Sequence, residues 1–175
     1  MTSHKNHAEY SNFETFSKKD TIQNVIDSYV ALSSETRNWV ANLANASSLL
    51  WHAYHQLKIP VNWTGFYVLD PSTAEQLILG PFQGKVACQT IKFGKGVCGT
   101  AAAQQVSQLV ADVESFPGHI ACDGETKSEI VIPIVVRGKT VGVLDLDCLV
   151  PEGFDSQDVK MLEELSKHIA SSNDW

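Results

Sequence analysis

Apolar residues recur at three- and four-residue steps over two N-terminal stretches, alternate or cluster through the middle of the chain, and return to helical spacing near the C-terminus. Ile22, Val25, Ile26 and Val30 follow Asp20, with Gln23 three residues after that aspartate as in a capping box, so the first helix is predicted to start at Asp20. Trp39, Leu43, Ala46, Leu50, Ala53 and Leu57 give a longer helix, from about Thr36 to Leu57, one buried face. Pro60 ends it. Asp155 caps a last helix whose Val159, Leu162, Leu165 and Ile169 fall on one side.

The middle of the chain reads as strands. Asn62 to Leu69 is rich in strand formers, and Gln76 to Leu79 makes a second strand closed by Gly80-Pro81. Val86 to Ile91 reads as a third. The glycines of Gly94-Lys-Gly-Val-Cys-Gly99 lead into a short alanine-rich helix over Thr100 to Gln105. Leu109 to Val113 is a brief strand, and Glu114 to Glu125 an irregular loop. Ser128 to Val136 and Thr140 to Cys148 flank Arg137-Gly138-Lys139 as a β-hairpin. This order predicts an α+β fold: an antiparallel sheet with the terminal helices on one face. The stretch between Val86 and Glu129 covers the other face and leaves room for a pocket.

Composition narrows the function. The chain has 175 residues, enough for one domain with a full core, and its 43% hydrophobic and 19% charged fractions suit a globular protein. Net charge is −7 and no Lys/Arg run occurs, so neither a nucleic-acid nor an anionic-membrane surface is expected. Residues 1 to about 16 are polar and lack periodicity, which predicts a loosely held arm and no secretion signal. The longest apolar run, Ile130 to Val136, is too short to cross a bilayer. None of the four cysteines forms C-x-x-C and no histidine sits at ligand spacing from one, so no metal site is expected. Thiols and a cytoplasmic setting are the reading.

Candidate chemistry gathers in two places. Along Val141 to Asp147, residues 141, 143, 145 and 147 share one face of a strand, so Asp145 and Asp147 point the same way, roughly 7 Å apart. Such a pair repels unless water or a cation compensates it, so it is either a solvated strand end or a site for an ammonium group or a metal. Glu129 joins them if a three-residue loop at 137–139 sets the register. A two-residue Gly138-Lys139 turn puts it on the opposite face. The other place is the cysteine region, where Cys88, Cys98 and Cys122 are separated by ten and twenty-four residues. Cys98 stands at a predicted helix start, where the macrodipole favours thiolate. Cys122 lies in a polar loop with His119 nearby, and its neighbours Asp123 and Glu125 raise a thiol pKa but help a reaction that must protonate an oxygen. Cys148 reads as a small buried hydrophobe. Trp63 and Tyr67, on one face of the first strand, wall an apolar pocket or serve as core aromatics. Gly94 to Gly99 matches G-x-G-x-x-G, but no βαβ unit surrounds it, so a dinucleotide site is not expected.

Several stretches together resemble the free methionine-(R)-sulfoxide reductases, enzymes built on a GAF domain, with the fungal members most similar. They are Asn62-Trp-Thr-Gly-Phe-Tyr67, Leu79-Gly-Pro-Phe-Gln-Gly-Lys-Val-Ala-Cys88, Ile91-Lys-Phe-Gly-Lys-Gly-Val-Cys-Gly-Thr100, Pro117-Gly-His-Ile-Ala-Cys-Asp-Gly-Glu-Thr-Lys-Ser-Glu-Ile130 and Gly142-Val-Leu-Asp-Leu-Asp147. The resemblance implies a single GAF domain over 17–175, behind the arm. It implies Cys122 as nucleophile and Cys88 as resolving thiol, with Cys98 a third family cysteine whose use differs between members. It implies that Trp63 and Tyr67 hold the methyl-sulfur end of the substrate. Glu129, Asp145 and Asp147 would then bind its ammonium and help protonate the sulfoxide oxygen. The implied reaction reduces free methionine (R)-sulfoxide through a sulfenic acid and a disulfide recycled by thioredoxin, with no cofactor or metal, in a chain that pairs as a homodimer as family members do. Cys148 has no family role. Two other readings compete: a GAF module that only senses a ligand is expected to carry an attached output segment, and a thiol redox sensor has no use for Trp63, Tyr67 or the acids.

Overall fold

The computed structural model describes residues 5–14 and 17–175. Ile22, Val25, Ile26, Tyr29 and Leu32 form the buried stripe of α1 (Lys18–Ser33), while Val30 faces solvent. The cap is Ser17, whose hydroxyl accepts from the Asp20 amide at 3.2 Å, so the helix starts earlier than an Asp20 cap implies. In α2 (Trp39–Gln56) the cap is Asn38, and Leu43, Ala46, Leu50 and Ala53 are buried as predicted, joined by Leu49 and Tyr54. The helix stops at Gln56 before Pro60 is reached, and Lys58 turns the chain at φ 61°. Asp155 caps α4 (Ser156–Ser172) by accepting from the amides of Gln157 and Asp158.

Among the described residues six strands make one antiparallel sheet in the order β3-β2-β1-β6-β5-β4. They are β1 (Val61–Leu69), β2 (Gln76–Gly84), β3 (Thr90–Lys92), β4 (Gln108–Val110), β5 (Ser128–Val136) and β6 (Lys139–Cys148). Phe66, Val68, Ile130, Ile132, Leu144 and Leu146 pack beneath α1, α2 and α4. The opposite face carries a smaller cluster of Trp63, Tyr67, Val131 and Val143, covered by α3 (Gly96–Gln104) and the loops around it. The fold is α+β with helices on one side and the candidate site on the other.

Four expected boundaries move. β2 runs through Gly80-Pro81, because those two residues stand opposite Phe66 in a bulge where proline owes no ladder hydrogen bond. The strand expected over Val86 to Ile91 shrinks to Thr90–Lys92, and the one expected over Leu109 to Val113 ends at Val110. α3 begins at Gly96, four residues before Thr100, so Cys98 lies inside its first turn.

The hairpin register is reached by a route that neither predicted loop describes. The turn holds two residues, Arg137 and Gly138, both at positive φ (50° and 77°), as a tight hairpin turn requires. Val136 pairs with Lys139 and Val135 with Thr140, but Ile134 pairs with Gly142. Val141 is therefore a bulged residue, and the ladder beyond it places Glu129 opposite Asp147. The bulge also sends Val141 to the helix side, away from the face it was expected to share with Asp145.

Of the polar arm expected over 1–16, residues 1–4, 15 and 16 lie outside the described residues. His7–Ser11 makes a 3-10 turn, and Tyr10 and Phe13 pack against the helix-side core. No helix among the described residues is long and apolar enough to cross a membrane.

One buried carboxylate holds the helical layer together. Asp158 is fully buried and accepts from the Tyr54 hydroxyl at 2.6 Å, the Lys18 ammonium at 2.8 Å and the Asp155 amide at 2.8 Å, so α1, α2 and α4 meet on one side chain. Asp158→Ala leaves these donors unmatched and is expected to cost about 3 kcal/mol. A urea midpoint lowered at unchanged slope checks it, and Asp158→Asn, which keeps an acceptor oxygen, is expected to cost less.

Candidate active site

β1 alternates so that Trp63 and Tyr67 leave the helix side together. Their rings stack with centroids 5.8 Å apart, and Trp63 also stacks on Phe82 of β2 at 5.2 Å. The polar tips of both aromatics reach sideways. The Trp63 indole N–H donates to the Lys85 carbonyl at 3.1 Å, and the Tyr67 hydroxyl donates to the Cys88 carbonyl at 2.9 Å. These bonds give the carbonyls of Lys85 and Cys88 side-chain partners outside the sheet, just before and within the strand expected over Val86 to Ile91. Burial, followed by the Asp145 charge, raises the Tyr67 hydroxyl far above its ordinary pKa, so it acts as a neutral donor.

Cys88 and Cys122 form a disulfide with Cα atoms 5.7 Å apart. Cys122 is exposed and lines the pocket beside Trp63, Tyr67 and the acids, whereas Cys88 is half-buried against the second cluster and lies outside the lining. Asn62 secures the Cys122 loop to β1, its amide donating to Asp123 at 3.2 Å and to Thr126 at 3.0 Å. Lys85 and Glu125 pair across the two cysteine segments at 2.9 Å. Asn62 lies within the family-like stretch, but nothing in its strand context marks it as a loop anchor.

Glu129, Asp145 and Asp147 form the acidic floor. Glu129 stands across from Asp147, and both Glu129 and Asp145 are 6% exposed. All three carboxyls are held well above the ordinary range. Burial is the main cause, aided by Asp147 on Glu129, by Glu129 on Asp145 and by Asp145 on Asp147. Each of Glu129 and Asp145 is thus pushed toward its protonated form, by burial first and by a neighbouring carboxylate second. The other oxygen of Asp145, Oδ1, is buried without a partner.

Cys98 and His119 close the pocket over these acids. The Cys98 Sγ lies 3.9 Å from Glu129 Oε1, and burial together with Asp145 and Glu129 pushes its thiol well above the ordinary value. The thiolate expected from its helix-start position does not arise, because burial and two acids outweigh one short helix's dipole. His119 Nε2 lies 3.6 Å from Glu129 Oε2, and burial lowers its pKa. Its place above the acids depends on a loop path that spacing does not encode. Cys98 and one oxygen each of Glu129 and Asp145 lie within 4.8 Å of one another. Cys148 is fully buried, its Sγ 3.5 Å from the Pro60 carbonyl.

An antiparallel sheet backed by helices, with a polar pocket under a short helix and loops on its free face, is the architecture of a GAF domain, and the GAF domain family model matches residues 44–172. The free methionine-R-sulfoxide reductase of Saccharomyces cerevisiae is 56% identical over 170 residues, covering 97% of this chain and 93% of its own. That of Escherichia coli is 47% identical over 135 residues, covering 77% and 78%. The X-ray structure of the Neisseria meningitidis enzyme in complex with its substrate matches with a TM-score of 0.85 at 37% identity, covering 92% of this chain and 93% of that one. The chain belongs to the free methionine-R-sulfoxide reductase family of GAF-domain proteins.

Proposed function

We propose that the protein reduces free L-methionine (R)-S-oxide to L-methionine, with Cys122 as nucleophile, Cys88 as resolving thiol and a thioredoxin as reductant. One observation carries this reading: of the two bridged cysteines only Cys122 lines the pocket that holds the aromatic wall and the acidic floor. Trp63 and Tyr67 hold the methyl-sulfur end, and the acids take the α-ammonium. A peptide-bound methionine sulfoxide lacks that charge and would leave the acids unpaired, which makes the free amino acid the preferred substrate.

The chemistry balances with thiols alone. The Cys122 thiolate attacks the sulfoxide sulfur, the oxygen is protonated from the acidic floor, and oxygen passes to Cys122 as sulfenic acid while methionine leaves. The Cys88 thiol displaces water from that sulfenic acid and forms the disulfide. A dithiol then takes up the bridge by exchange and is itself oxidised. Cys98, protonated beside Glu129, joins the acids in supplying protons. A cytoplasmic setting suits a disulfide that must be reduced at every turnover, and the family resemblance supports a homodimer.

With thioredoxin, its reductase and NADPH, the R epimer of free methionine sulfoxide is expected to drive NADPH loss and the S epimer to leave it at background. Turnover of neither epimer by fully reduced enzyme would sink the reading.

A further inference from the structure

The mouth of the pocket carries apolar side chains that the fold does not use. Val86 is 87% exposed, the most exposed of the large hydrophobic residues among the described residues, and Ile120 is 41% exposed. Each stands two residues before a bridged cysteine, Val86 before Cys88 and Ile120 before Cys122, so the disulfide that joins the segments also brings both side chains to one rim. Ile120 is braced from below: a Cβ at Gly96 would meet its side chain at 3.1 Å, so it packs over the start of α3 and keeps its outer part in water. Lys85 and Glu125, paired at 2.9 Å and each well exposed, lie beside them. Two apolar side chains flanking a disulfide, with an ion pair at their edge, have the make-up of a small transient interface: a dry centre and a polar rim.

The two bridged cysteines are not equally exposed. Cys122 is exposed, while Cys88 is half-buried and its carbonyl is held by the Tyr67 hydroxyl. An attacking thiolate that arrives from outside therefore meets the more exposed residue, Cys122, first.

Resting on the reductase reading above, we propose that the rim formed by Val86 and Ile120 is the docking surface for the protein dithiol that regenerates the enzyme, and that this partner attacks the Cys122 sulfur. The partner's thiolate forms a disulfide bond to Cys122 Sγ, and the Cys88–Cys122 bond breaks with its electron pair leaving on Cys88, which takes up a proton. The partner's second thiol gives up its proton and attacks the partner's own sulfur in the mixed disulfide. Cys122 is released as thiolate, and the partner leaves oxidised by two electrons. A partner with a flat apolar surface around its reactive thiol fits the rim, whereas a small dithiol has no need of it.

Val86→Asp separates the two kinds of reductant, and the exposure of Val86 keeps the fold out of the result. With thioredoxin as reductant the KM for thioredoxin is expected to rise about tenfold, because a charge then faces an apolar contact. With dithiothreitol, turnover is expected to stay within about twofold of the parent, as a small dithiol does not use the rim. An unchanged KM for thioredoxin, or an equal loss with dithiothreitol, would overturn the docking surface. A thioredoxin reduced to its single attacking cysteine is expected to be trapped on the oxidised protein at Cys122, read by peptide mass mapping, and trapping at Cys88 would overturn the attack site. Absence of dithiothreitol-driven turnover in the parent protein would instead remove the reductase reading itself.

Discussion

Cys122→Ser is expected to lower turnover of free methionine (R)-sulfoxide by at least about a thousandfold, because a hydroxyl in the same place is a far weaker nucleophile toward sulfur. Cys88→Ser is expected to behave differently. Its Cys122 can still attack, so each enzyme molecule should release about one methionine and then stop as the sulfenic acid, unless a small thiol resolves it. Rapid-quench measurement of methionine against enzyme concentration, with intact mass for the added oxygen, distinguishes the two. Cys98→Ser gives the third arm. Its thiol is buried among acids, held protonated and takes no part in the Cys88–Cys122 bridge, so the variant is expected to keep forming that disulfide. A single turnover that stops in Cys98→Ser but continues in Cys88→Ser would reverse the assignment of the resolving thiol. The three variants test the division of labour drawn from exposure: an exposed thiol and a buried one line the pocket, and a half-buried one lies outside its lining.

Much of this arrangement was legible in the chain because it rests on local periodicity. Strand alternation alone sends Asp145 and Asp147 one way and Leu144 and Leu146 the other, and the structure keeps that division. The same alternation unites Trp63 and Tyr67. What escaped the sequence depends on single inserted residues and on side-chain-to-backbone bonds. Val141 adds one residue to β6, so a two-residue turn delivers the register that a three-residue loop would have given, and Val141 itself changes sides. Val86 to Ile91 has strand composition, yet Trp63 and Tyr67 claim the carbonyls of Lys85 and Cys88. Gly80-Pro81 looks like a stop and is a bulge, with the Pro81 carbonyl accepting from the Ser47 hydroxyl of α2 at 3.1 Å. Pairing among three cysteines is a matter of loop paths, and no spacing rule contains it. The family resemblance carried the site roles that periodicity could not reach.

The acids are expected to show opposite effects on stability and on function. Three carboxyls crowd the buried floor of the pocket, and their pKa values stand above those of the unfolded chain. A group of this kind binds more protons when folded, so the stability it contributes is full below an unfolded value of about 4 and is lost as the pH rises through the folded value. Asp145→Asn removes that loss while keeping the shape of the side chain. Its melting temperature is therefore expected to exceed that of the parent at about pH 7.5, with the gain vanishing near about pH 4. Substrate binding runs the other way. An ammonium entering the floor favours ionised carboxylates, so binding should release protons and the KM for free methionine sulfoxide should fall as pH rises across the floor's titration. Asp145→Asn or Asp147→Asn is expected to raise that KM at least about tenfold, the loss of one charge-assisted contact. Calorimetry of substrate binding in buffers of different ionisation enthalpy reads the proton release directly. A variant that loses stability at neutral pH and keeps its KM would mark the acids as structural. A variant that gains stability while losing affinity would show that the crowding of like charges, and the unpartnered Asp145 oxygen within it, is retained because the missing partner is the substrate's cation.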